Sequence, residues 1–261
     1  MRLLIMGSEL QKTAKKLANA FKHGKLIKPI NRKFCDSSKQ ANILRSLCEE
    51  QIKSQIIGFK AGGTGKAMLK KWGEKEPFYA SIYKRNFRKS NSTIKINKYN
   101  LGIELEVFFY LNKNILLSKK KISEKNITKY LISMGPCIEV VGYRQKKKGL
   151  KTLGDLISDF GANISFINGS KKKYKKINFK NLKTELTHVK SGKTIIGNTK
   201  SVYDSPIKSL IWLLNKVRKN KQLNKNFYVF TGSTVGVVPI KKKGLFEGNI
   251  EKIGKVKAKI I

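Results

Sequence analysis

The chain has 261 residues, 40% of them apolar, enough to bury one sizeable core and too apolar for a disordered protein. Its 57 Lys and Arg against 16 Asp and Glu give a formal net charge of +41. Two distant histidines and three irregularly spaced cysteines, Cys35, Cys48 and Cys137, argue against a His-based zinc site, a thiolate cluster or a disulfide framework.

Leu10, Ala14, Leu17, Ala18 and Phe21 recur at helical spacing, so the first predicted helix runs over 9–22 and stops at His23-Gly24. A second is predicted over 38–53, with Ile43, Leu44 and Leu47 on one face. From residue 55 the texture turns to strands. Ile56 to Lys60 leads into the glycine-rich stretch Gly62-Gly63-Thr64-Gly65, Ile94 to Asn97 alternates, and Leu101 to Leu111 is strongly strand-forming. Residues 123–134 read as a helix capped by Ser123 and closed by Gly135-Pro136. Ile138 to Val141 reads as a buried strand, and Ser205 caps a helix beginning at Pro206. From Phe227 onward, strands are broken by glycines. No regular strand–helix alternation or internal repeat is present, which argues against a Rossmann or TIM-barrel plan. No apolar run is long enough to span a bilayer, and Leu3 to Met6 is too short for a signal-peptide core, so the expectation is a cytoplasmic protein.

Lysines occur in nearly every segment, and the runs at 119–121, 146–148 and 171–176 fall where loops are expected. They read as solvated faces rather than a nucleic-acid stripe, and no zinc-finger or RNA-binding signature accompanies them. In a chain so poor in acids, the positions of the acids are informative. Glu104 and Glu106 lie two apart in a strand, so both point to one face while Ile103, Leu105 and Val107 point to the other. Glu139 has a matching apolar setting in Cys137-Ile-Glu-Val-Val141. Buried like charges need a counter-ion. From spacing alone two readings stay open: salt bridges to lysines, or oxygen ligands for magnesium or manganese. Lys60 ends an apolar strand before flexible glycines and is the second candidate. The adjacent Gly-rich run is not a P-loop, because Lys60 stands where the first glycine belongs and Ala67 follows Lys66.

Several segments fall in a familiar order: Gly58-Phe59-Lys60-Ala61-Gly62, Ile103-Glu104-Leu105-Glu106, Ile138-Glu139-Val140-Val141 with Arg144, Asn163-Ile164-Ser165, Ser205-Pro206 to Leu214, and Phe230-Thr231-Gly232-Ser233. Together they resemble the 2-keto-4-pentenoate hydratase and 4-oxalocrotonate decarboxylase branch of the fumarylacetoacetase superfamily. The resemblance implies an α+β fold: a mixed β-roll core of the fumarylacetoacetase C-terminal type over residues 55–261, behind a small helical N-terminal part over 1–54. It also implies a homo-oligomer. It implies Mg2+ or Mn2+ on Glu104, Glu106 and Glu139, Lys60 as catalytic group, and Asn163, Ser165, Thr231 and Gly232 on the substrate side. The implied activity is a metal-dependent, hydratase-like lyase of aromatic catabolism. Its substrate would be an anionic 2-keto or 2-hydroxy-dienoic acid. A 2-keto-acid decarboxylase or acylpyruvate hydrolase is the alternative within the superfamily. A catalytically degenerate, basic nucleic-acid-binding protein is the alternative from another class, and specific nucleic-acid binding is not the expected role. The chain departs from the family pattern at Phe78 and Tyr79, where an acid is usual, and at Ala162, where an Asp is usual. Arg45 replaces a Gln and Tyr143 a Ser. The metal ligands therefore match the pattern while several proton-handling groups do not.

Overall fold

The structure is a computed structural model and describes residues 2–218 and 223–261. Helices α1 (Arg2–His23) and α2 (Ser38–Glu50) come first, followed by strand β1 (Ile56–Gly62) and helix α3 (Lys66–Lys71). Strands β2 (Phe78–Tyr83), β3 (Phe87–Lys89), β4 (Ser92–Ile94) and β5 (Asn100–Leu111) lead to the short α4 (Glu124–Ile127). Strand β6 (Leu131–Gly142), α5 (Gly154–Ser158), β7 (Asn163–Asn168), β8 (Lys172–Lys173), β9 (Lys183–His188) and β10 (Lys193–Asn198) follow. Helix α6 (Pro206–Val217) and strands β11 (Phe227–Ser233), β12 (Gly244–Ile250) and β13 (Gly254–Ile260) complete the fold. No helix among the described residues is long and apolar enough to cross a membrane.

The strands form two sheets. The larger has the order β2-β1-β11-β5-β6-β7-β3, with β8 added beside β6, and the smaller has the order β10-β9-β12-β13-β4. Both mix parallel and antiparallel pairs: β1 runs parallel to β11 and β4 parallel to β13, while β5 and β6 are antiparallel over their length. Alternation along β5 sends Ile103, Leu105, Val107 and Phe109 to the face shared with the second sheet. There they meet Ile138 and Val140 of β6, Leu186 of β9, Phe246 of β12 and Val256 of β13. Each such buried side chain contributes roughly 1.5–3 kcal/mol from removal of apolar surface from water. Leu210, Leu213, Leu214 and Val217 of α6 join the same core.

The opposite face of the larger sheet is concave. Lys60 on β1 touches Glu139 on β6 although β11 and β5 lie between their strands. Only a curled sheet brings such side chains together, so the expected α+β fold with a mixed β-roll core is the observed architecture. The two N-terminal helices pack onto it through Ala14, Leu17, Phe21, Leu44 and Cys48, in one cluster with Tyr83 of β2 and Phe160.

Several local expectations are corrected. The helix expected over 123–134 is a single turn, α4, followed by a 3-10 turn over Thr128–Tyr130. Ser123 does cap it, in a capping box with Asn126. Strand β6 then starts at Leu131 and runs through Gly135-Pro136, because its residues pair register by register with β5, from Leu111↔Leu131 to Val107↔Pro136 and beyond. A twelve-residue partner strand overrides the helical pattern. Helix α2 ends at Glu50 rather than residue 53, and β4 spans Ser92–Ile94, overlapping the alternating stretch only at Ile94. Ser205 caps α6 as expected, its hydroxyl accepting from the Lys208 N–H at 3.2 Å. All three cysteines are free and buried.

Candidate metal centre

The register explains how three separated carboxylates meet. Glu104 and Glu139 are direct partners across β5 and β6, and Glu106 stands opposite Cys137. Paired residues share a face, so all three carboxylates project into the concavity. One oxygen from each lies within 4.8 Å of the others. Ligands on one ion at bond lengths of roughly 2.0–2.6 Å can stand up to about 5 Å apart, so the spacing suits a single cation.

Glu106 and Glu139 are fully buried, while Glu104 keeps partial solvent contact at the mouth. Lys60 is 3% exposed, and its Nζ donates to Glu139 Oε1 at 2.5 Å and to the Gly161 carbonyl at 3.0 Å. Glu106 Oε2 accepts the Gly232 N–H at 2.9 Å. No donor reaches Glu106 Oε1 or Glu139 Oε2. These two oxygens can satisfy each other only if one carries a proton.

The titration directions agree with that geometry. Burial first, then Glu139, pushes Glu104 up to about 7, against the opposing pull of Lys60. Burial, then Glu139 and Glu104, raises Glu106 well above the usual carboxylate range. Burial also raises Glu139, although Lys60 draws it down. Burial lowers the Lys60 ammonium, but Glu139, Glu104 and Glu106 outweigh it and hold the group above its ordinary value. With every group ionised, three carboxylates face one ammonium and two negative charges remain in a largely water-excluded site. The residues present therefore fit a divalent, oxygen-loving cation. The clustered ligands are all carboxylates.

The remaining expected site residues are placed as follows. Gly232 is at the site through its N–H to Glu106. Its φ of 106° is a glycine conformation, and a Cβ there would lie 2.3 Å from Thr64 Oγ1. Thr231 is fully buried one residue away, its hydroxyl donating to the Val107 carbonyl at 2.9 Å. Asn163 sits below the site, its Oδ1 accepting from Arg144 and its amide donating to the Ser81 carbonyl at 3.3 Å. Ser165 pairs with Val140, on the face of β7 away from the carboxylates, and donates to the Asn86 carbonyl at 3.2 Å. Phe166, its neighbour, faces inward with its ring 6.0 Å from Lys60 Nζ. Phe78 lies over Gly62 and Gly63 and beside Gly161, so the wall next to Lys60 is apolar.

Sequence reading did not single out Thr64, the Gly161 carbonyl or Phe166. Thr64 stood inside the glycine run that fails as a P-loop, and a backbone carbonyl leaves no residue-type signal.

No family model and no curated relative matches the sequence. Solved structures do match the fold. 4-Oxalocrotonate decarboxylase from Pseudomonas putida G7, complexed with magnesium and adipate, superposes with a TM-score of 0.81 at 17% identity, over 97% of this chain and 98% of that one. Fumarylpyruvate hydrolase from Pseudomonas aeruginosa, in complex with Mn2+ and pyruvate, gives 0.60 at 12% identity over 79% and 90%. 5-Carboxymethyl-2-hydroxymuconate delta-isomerase from Mycobacterium smegmatis gives 0.57 at 13% identity over 79% of both chains. The chain thus has the fold of the fumarylacetoacetate hydrolase-type proteins.

Proposed function

We propose that this protein is a metal-dependent lyase acting on 2-keto or 2-hydroxy-dienoic acids, with Glu104, Glu106 and Glu139 as ligands for Mg2+ or Mn2+. The observation that carries the reading is the buried excess of charge: three clustered carboxylates, one compensating lysine, and two carboxylate oxygens that no donor reaches. Structural salt bridges would match charges one to one, and here they do not. The similarity to structures that hold magnesium or Mn2+ supports the same ion class.

When bound, the cation would supply Lewis-acid stabilisation of negative charge developing on an enolate-like oxygen. Lys60 adds a second positive charge beside that position, and its Nζ can hold or move a proton there. The Gly232 N–H orients Glu106. Phe78 and Phe166 exclude water from the Lys60 side, a wall suited to an apolar substrate tail. Thr231, Gly232 and Asn163 remain our candidates for the substrate side, with Gly232 in contact with Glu106; Ser165, on the far face of β7, drops out. A homo-oligomeric state is part of the proposal, tested by sedimentation velocity.

The ordered resemblance of the segments implies hydration first, with decarboxylation as the second reading. Phe78 and Ala162 favour the second: water addition needs an acid and a base in position, whereas loss of CO2 needs mainly an electron sink. The fold similarity to a decarboxylase points the same way. The test supplies Mg2+ with either 2-hydroxypenta-2,4-dienoate or 4-oxalocrotonate and weighs the products. Water uptake by the first supports a hydratase, and CO2 release from the second a decarboxylase. Turnover of neither by Mn2+-loaded protein would sink the lyase reading.

A further inference from the structure

Three consecutive residues beside the site have left-handed backbone: Phe160 (φ 54°), Gly161 (φ 68°) and Ala162 (φ 57°). Glycine accepts this conformation, but for phenylalanine and alanine the Cβ crowds the following carbonyl. Phe160 and Ala162 are nonetheless buried at 0% and 1% exposure, so the surrounding structure must impose the turn. A Cβ at Gly161 would also meet Ala80 Cβ at 3.0 Å and the Phe78 ring at 3.1 Å.

One side chain ties the two ends of this turn together. The Arg144 backbone N–H donates to Asp159 Oδ2 at 2.8 Å and its Nη1 to Asp159 Oδ1 at 3.1 Å. Its Nη2 donates to the Asn163 carbonyl and, at 3.2 Å, to Asn163 Oδ1. Asp159 and Asn163 are the residues flanking the left-handed triplet. The guanidinium also packs against two rings that touch each other, 4.7 Å from Phe21 of α1 and 5.2 Å from Phe160. Gln145 Nε2 adds a bond to Asp159 Oδ2 at 3.2 Å. A buried ion pair is weak as a source of stability, which makes a conformational role the better account of this one. The product of the turn is the Gly161 carbonyl, which faces Lys60 Nζ at 3.0 Å. A lysine stem has many rotamers, and this carbonyl together with Glu139 selects one.

We propose that Arg144 is a positioning residue: by bridging Asp159 and Asn163, and backed by Phe21, it holds the Phe160–Ala162 turn left-handed so that the Gly161 carbonyl fixes the Lys60 ammonium over the metal centre. The inference rests on the proposed role of Lys60, yet its test is independent of turnover. The readout is acetylation of Lys60 by an amine-reactive ester, followed by peptide mass spectrometry on folded protein. In the wild type Lys60 is protected. In Arg144→Met its labelling rises about tenfold or more, because the strained turn relaxes. Adding Ala162→Gly to Arg144→Met restores much of the protection, since glycine adopts the left-handed conformation without strain. A merely structural arginine would show no such rescue. Should Arg144→Met not fold, Phe21→Leu, which keeps the ion pair, decides through a smaller rise. Wild-type labelling rates in the folded Arg144→Met or Phe21→Leu protein, or no rescue by Ala162→Gly, would overturn the proposal. Mn2+ binding by the wild type is measured alongside. Its absence would sink the metal reading while the labelling ratios still decide the turn.

Discussion

Glu104 binds its proton more tightly in the folded chain than in the unfolded one, because burial and Glu139 push it up to about 7 from an ordinary 4.5. Stability from such a raised carboxyl is fully present below the unfolded value and is lost as pH rises through the folded one. The metal-free protein is therefore expected to lose stability relative to Glu104→Gln between about pH 4.5 and 7. The loss is on the order of 3 kcal/mol before its partial solvent contact screens it. Asp155 has the opposite sign, since Lys147 and two backbone N–H groups outweigh its burial and lower it. Only the comparison with Glu104→Gln isolates the site. Urea unfolding at several pH values reads the difference, and a pH-independent gap would mean that Glu104 ionises normally. Mn2+ should reverse the trend, adding stability that grows with pH, because metal binding displaces these protons. Glu106→Gln and Glu139→Gln should each weaken Mn2+ binding about 100-fold or more, measured by titration calorimetry. Wild-type affinity in both variants would return the carboxylates to structural pairing. At this scale the sequence already showed the ligand types and the shared face of Glu104 and Glu106. It could not show that Lys60 neutralises only one of three charges, because that depends on distances across four strands.

The pairing of β5 with β6 illustrates what one element can and cannot reveal. The strand-forming run over Leu101–Leu111 was recognisable alone, since its alternation and β-branched or aromatic residues do not suit a helix. The start of β6 was not. Residues 123–134 read as a helix capped by Ser123, and Gly135-Pro136 normally stops one. Gly135 is instead needed inside the strand, because a Cβ there would approach both the Phe108 ring and the Ser170 carbonyl to 2.6 Å. Gly135→Ala is accordingly expected to destabilise the fold by about 2 kcal/mol through overpacking, measured by chemical unfolding. Helix α6 shows the contrary case, with Ser205, Pro206 and the apolar stripe all local signals. Ser205→Ala should cost about 1 kcal/mol by the same measurement.

For the whole molecule, the expected division at residue 54 meets a shared interior. Leu17, Phe21 and Leu44 from the N-terminal helices cluster with Tyr83 and Phe160 from the β-rich part. A common core implies one cooperative transition in scanning calorimetry, and two separate transitions would make residues 1–54 an independent unit. Charge also acts at this scale. A net charge of +41 spread over the chain should retain nucleic acid at low salt, through phosphate contacts alone. We expect that retention to vanish by roughly 0.3 M salt and to show no sequence preference. Salt-resistant, sequence-selective binding would favour a nucleic-acid role over the enzyme.

Chemistry carried by residue type and short-range period belonged to the sequence alone: the acids in apolar strands, the capped helix α6, and an order of segments resembling one family. Tertiary structure decided what depends on contacts between distant positions. The curl of the larger sheet brought Lys60 to Glu139, the full-length pairing of β5 overrode a local helical pattern, and Arg144 imposed a left-handed turn that neither Phe160 nor Ala162 would adopt unaided. The physical reason is the range of the interactions. Alternation and capping act over a few residues, whereas a buried charge, a close backbone approach and a strained turn are set by groups about a hundred or more positions away, as Gly161 is from Lys60 and Gly232 from Glu106.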